Sequence, residues 1–160
     1  MKALLPIVLL VGLMRSEPAV SQSRNSSPLI GSWAVDVSRL PMPPEGRPKS
    51  AIITFSDDGA GRWLTKVDIV YANGSENHST GTATLDGKSS AVKGSDEADT
   101  AAFKMPAPNV LIMALAEGGV PASTRIYTVS ADGRSLIETA VYFGNDGLPI
   151  MRTHYFARLP

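Results

Sequence analysis

The chain contains no cysteine. That single absence removes disulfides, thiol nucleophiles and cysteine-ligated zinc together. Two histidines leave little room for an all-histidine metal site. Neither charge sign is in excess, with 15 Lys+Arg against 15 Asp+Glu, so no electrostatic footprint for nucleic acid is present. Charged residues are only 19% and hydrophobic residues 43%, which is too apolar a balance for a disordered chain. No segment sustains a helical hydrophobic period, so no phosphate-binding loop feeding a helix is expected. The Gly-x-Ser-x-Gly elbow of serine hydrolases and the spacing of a calcium loop are also missing. No metal and no cofactor is expected.

What is present begins with an export pattern. Lys2 gives a positive start, and Ala3 to Met14 is uncharged and apolar. The run is shorter than the roughly 20 residues that a membrane helix needs. Ala19 and Ser21 are small residues placed for cleavage after Ser21. Residues 1–21 therefore read as a signal peptide, which predicts a periplasmic or secreted protein with no stable membrane span after cleavage. Residues 22–28 are small and polar and read as a flexible leader, and residues 29–160 as one domain. Asn25, Asn73 and Asn77 form Asn-x-Ser triplets, which matter only in a host that glycosylates.

From residue 29 onward, short β-type runs alternate with turn signals. Residues 62–71 place Trp63, Thr65, Val67, Ile69 and Tyr71 on one side, with Lys66 and Asp68 on the other. This is the period of a half-buried strand. Asn73-Gly74, Asp86-Gly87, Asp132-Gly133 and Asp146-Gly147 are hairpin turns by composition. Residues 39–48 hold four prolines and cannot form a central strand. They read as a long loop over one end of the fold. The polar residues 88–99 read as an irregular stretch. Residues 110–116 are apolar throughout, and their length and flanking turn residues favour a strand over a helix. The pattern predicts an all-β antiparallel up-and-down barrel of eight or nine strands.

The chain carries, in order, Gly31-Ser32-Trp33, Asp86-Gly87-Lys88, Ser130-Ala131-Asp132-Gly133 and Asp146-Gly147-Leu148-Pro149, followed by Tyr155 and Phe156. That order of motifs resembles a bacterial set of small secreted lipocalin-like proteins of the calycin type. The resemblance implies a barrel and an export route more than a reaction. It also implies structural roles for Trp33 and Arg158, with the arginine crossing the indole at the closed end.

The candidate chemistry lies on the later strands. Glu138 shares a face with Leu136, Ala140 and Tyr142, and Arg125 shares one with Tyr127. Both could point inward and bind a polar head group, or form an exposed cross-strand ion pair. His154 alternates with Ile150, Arg152, Phe156 and Arg158, a set that faces either a polar cavity or water. His78 reads as an exposed polar residue beside a turn. Trp63, Tyr71, Met113, Tyr127, Phe143 and Tyr155 are candidates to line a pocket.

Three functions follow as expectations. The first is binding of a small apolar or amphipathic molecule inside the barrel, reached from the end carrying residues 39–48. The second is an enzyme, an isomerase, cyclase or hydrolase acting on an apolar substrate. His154, Tyr155, Glu138 and Arg125 would be its acid–base or oxyanion groups. The third is a filled, ligand-free structural protein of the cell envelope.

Overall fold

The computed structural model describes residues 27–160. The signal-peptide reading of residues 1–21, and most of the leader, lie outside the described residues. Ten strands form a closed antiparallel barrel in which each strand pairs with its neighbours in sequence, and β10 returns to β1. They are β1 Gly31–Val35, β2 Ser50–Asp57, β3 Arg62–Val70, β4 Glu76–Thr84, β5 Asp86–Lys93, β6 Thr100–Ala107, β7 Val110–Glu117, β8 Val120–Val129, β9 Ser135–Phe143 and β10 Pro149–Arg158. Closure leaves no sheet edge, which removes the usual template for strand aggregation. No helix among the described residues is long and apolar enough to cross a membrane.

The strand count exceeds the sequence-based expectation because of β5. Its sequence, DGKSSAVK, is polar, and most of its side chains face water. Pairing with β6 makes it a strand, where no apolar alternation announces one. Asp86-Gly87 therefore opens β5, and the irregular stretch shrinks to residues 94–99. Residues 110–116 are strand, within β7.

Chain direction sorts the loops into two ends. The turns after β2, β4, β6 and β8 share one end with Leu29 and the last residues. The long β1–β2 loop and the turns after β3, β5, β7 and β9 share the other. The first end is closed. Leu29, Trp33, Phe55, Leu111 and Leu136 are fully buried there. The Trp33 indole N–H donates to the Leu29 carbonyl at 2.9 Å. Arg158 lies over the indole, 4.1 Å from the ring centroid. Its guanidinium donates to the carbonyls of Ile30 at 2.8 Å and Gly133 at 2.7 Å, and to that of Pro28. It thus ties the N-terminal segment and the β8–β9 turn to the end of β10. Gly31 permits this approach, because its φ is +128° and a Cβ would fall 2.6 Å from the guanidinium.

Candidate functional site: a half-empty barrel with a buried charge network

The inner faces of the barrel are unevenly filled. Phe103, Met113 and Tyr127, on the adjacent strands β6, β7 and β8, crowd one side. On β4 the inward positions are Asn77, Ser79, Gly81 and Ala83, and β5 contributes Val92. These side chains are too small to reach the far wall. The result is a cavity of about 240 Å³, bounded by Thr65, Val67, Gly81, Val92, Phe103, Met113, Arg125 and Tyr127, among others. Empty cavities near 150 Å³ already admit benzene, so a one- or two-ring molecule fits this volume. Thr65 is the deepest contributor from β3 and Tyr71, just past the strand's end, lies at the outer limit, roughly 20 Å further along the chain.

Most of the cavity wall is apolar; its charged groups are Asp96, Glu97 and Arg125, and Arg125 joins the wall to a network on β9 and β10 behind it. Glu138 is only 2% exposed. Arg125 Nη1 donates to its Oε1 at 2.9 Å, and His154 Nδ1 donates to its Oε2 at 2.7 Å. Cross-strand register puts the groups in place, because Glu138 sits opposite both Tyr127 and His154. Arg125 Nη2 bonds Glu97 and lies 3.3 Å from the Tyr142 hydroxyl. Ser123 Oγ donates to Glu97 Oε1 at 2.6 Å. The guanidinium is therefore held by two carboxylates, one rigid on a strand and one on the β5–β6 loop. Burial opposes ionisation of Glu138, but the bond from His154 and the charge of Arg125 outweigh it and hold its pKa below the ordinary value. Burial, together with the Glu138 charge, pushes the Tyr127 hydroxyl well above the usual tyrosine range. Tyr127 thus stays a neutral phenol.

The β5–β6 loop, residues 94–99, straps the mouth. Asp96 Oδ2 accepts from the Tyr71 hydroxyl at 3.2 Å and from Asn77 at 3.0 Å, on one side of the opening. Glu97 reaches the other side, to Arg125 and Ser123 on β8. Gly94 starts the loop with φ +71°, packed so closely that a Cβ would collide with the His78 carbonyl.

The structure brings together Arg125, Glu138 and His154 and separates them from Tyr155. Strand alternation turns Tyr155 outward, where the Arg39 guanidinium stacks on its ring at 3.3 Å. It belongs neither to an acid–base cluster nor to the cavity. The exposed ion pair considered for Glu138 and Arg125 is also corrected, since Glu138 is buried and the Arg125 side chain is 19% exposed. Of the candidate pocket residues, Tyr71, Met113 and Tyr127 bound the cavity. Trp63 points inward but packs on Phe55 toward the closed end, with ring centroids 6.2 Å apart. Phe143 is 61% exposed on the β9–β10 hairpin, beside the exposed Leu148 and Met151. His78 is exposed and paired with Asp68 at 2.6 Å and Glu76 at 3.0 Å.

Thr65, Glu97 and Asp96 are not among the pocket or catalytic candidates that the sequence offers. Thr65 lay in plain view on the alternating strand 62–71, but a threonine on an inner face carries no signal of its own. Asp96 and Glu97 sit in a polar run that reads as a solvated loop.

No family model matches this chain, and no curated protein does. Among solved structures, one described as EF1p2_mFAP2b bound to DFHBI resembles it at 12% identity and a TM-score of 0.45, covering 87% of this chain and 100% of that one. At that level the likeness bears on neither ligand nor site.

Proposed function

We propose that this protein is an exported, lipocalin-like barrel that binds one small apolar or amphipathic molecule in its interior. The observation that carries this reading is the 240 Å³ cavity, open toward the strapped end and walled by Phe103, Met113, Val67 and Tyr127. Sites of this kind, apolar with a few convergent polar groups, are the usual form of small-molecule pockets. A barrel serving only as an envelope scaffold would gain stability from filling that space, because unfilled volume costs contacts. The enzyme reading is less well supported. Glu138 and His154 form an orienting pair of the sort that fixes a histidine tautomer, yet they stand behind Arg125 and Tyr127 rather than on the cavity wall. Export rests on residues 1–21 and is part of the same proposal.

Gly81→Leu tests the reading. The new side chain would enter the void, meeting Val92 Cγ2 first at about the 3.3 Å reached by a Cβ. A neutral solvatochromic naphthalene dye should bind the wild-type barrel with a blue-shifted emission, and a folded Gly81→Leu variant should lose that signal. Equal dye binding by both proteins would place the dye elsewhere and remove the cavity from consideration.

A further inference from the structure

Thr65 is 7% exposed, and its Oγ1 is buried with no hydrogen-bond partner. It is the single such side-chain atom among the described residues. Buried hydroxyls are almost always satisfied, and leaving one bare is costly. Thr65 is also part of the cavity wall, at its inner part on β3, beside the side-chain-free Gly81 across the β3–β4 register. Its surroundings on the neighbouring strands are Phe55 and Gly81, neither of which offers a side-chain polar atom. An unpartnered hydroxyl in a void is therefore complementary to an oxygen brought in from outside.

The charged groups on the wall limit what else that molecule carries. They are Asp96, Glu97 and Arg125, with Glu138 directly behind the arginine. The guanidinium is already shared between two carboxylates, and Asp96 brings a further negative charge to the rim. A ligand carboxylate would have to displace Glu97 and would meet uncompensated like charge. Arg125 is thus a wall group whose anion site is already taken by the protein itself.

Resting on the reading of the cavity as a ligand site, we infer that its ligand is an uncharged apolar molecule of one or two rings, carrying a hydroxyl or carbonyl oxygen at its inserted end that hydrogen-bonds Thr65, and that carboxylate ligands are excluded by Glu97. Phe103, Tyr127 and Met113 supply the aromatic and thioether surface for such a ring. Thr65 would then determine specificity, because a site built around a hydrogen bond rejects the analogue lacking it.

Three matched probes read this out by calorimetry: 2-naphthol, 2-methylnaphthalene and 2-naphthoate at neutral pH. Wild-type protein should prefer 2-naphthol over 2-methylnaphthalene by about fivefold to tenfold, the size of one net hydrogen bond, and bind 2-naphthoate weakest. Thr65→Val keeps the shape of the side chain and should erase the naphthol preference. Glu97→Gln should raise naphthoate affinity selectively. Equal affinity for naphthol and methylnaphthalene, unaltered by Thr65→Val, would overturn the inference while leaving the cavity as a binding site. Naphthoate binding as tightly as naphthol in the wild type would overturn the charge argument. Failure of all three probes to bind would overturn the cavity reading itself.

Discussion

Glu138 shows how a carboxylate is retained inside an apolar barrel. Two cationic or donor side chains, Arg125 and His154, each take one of its oxygens. Removing one partner of such a buried pair leaves the other uncompensated, typically at a cost of about 3–5 kcal/mol. The pH dependence follows from its depressed folded pKa. Unfolded, the group titrates near its ordinary value of 4.5. Folded, it holds its charge to lower pH, so the unfolded chain takes up the proton first. The stabilisation is present above about pH 4.5 and is lost as pH falls through the lower folded value. Urea unfolding at stepped pH should show a falling acid limb in the wild type. In Glu138→Gln that limb should be shallower, with lower stability at neutral pH and a gap that narrows in acid. Parallel limbs would remove Glu138 as a source of the dependence. The sequence made the pairing of Glu138 with Leu136, Ala140 and Tyr142 legible, because alternation fixes which residues share a face. It left open which face is inside, since an inward charge and an outward one have the same period.

Among the strands, β5 is the weak member, for the same reason that it was illegible. Its polar sequence contributes little to the interior. Its register with β4 is limited to Thr80–Lys93 and Gly81–Val92, whereas β3 and β4 pair continuously from Arg62–Thr84 to Val70–Glu76. Its register with β6 shifts between Asp86 and Ser89. Segments with few buried apolar contacts open first. Amide hydrogen exchange should therefore be faster in residues 86–93 than in β3, β8 or β9, and a saturating cavity ligand should slow it. Uniform protection around the barrel would contradict a soft β4–β5 seam. The strong elements were the readable ones. Residues 62–71 and 135–143 alternate with period 2, with Trp63, Val67 and Ile69 inward on the first and Leu136 and Ala140 on the second, so local pattern and tertiary burial agree there except at Thr65 and Glu138. The apolar run 110–116 resolves as strand because β6 and β8 flank it on both sides and pair with it.

The whole molecule divides into a solid half and a hollow half. At the closed end Arg158 covers Trp33 and ties three backbone carbonyls, and aromatic rings fill the section: Phe55 against Tyr127 at 5.3 Å and Tyr127 against Phe156 at 6.5 Å. At the other end small residues on β4 leave the cavity, and the β5–β6 loop crosses its mouth between Tyr71 and Arg125. The barrel class and its hairpin order were legible from turn residues and alternation. Whether the barrel is hollow was not, because that depends on volumes summed across strands far apart in sequence: Gly81 creates space only in relation to Phe103 and Tyr127. The central claim is that this space is a ligand site. The most direct measurement is methyl-resolved NMR of the protein during titration with 2-naphthol. The account predicts saturable shifts, and ligand NOEs, at Thr65, Val67, Val92 and Met113, with Leu111 and Leu136 at the closed end unmoved. Shifts confined to the exposed Leu148, Ile150 and Met151 of the β9–β10 hairpin, with the interior methyls silent, would contradict it.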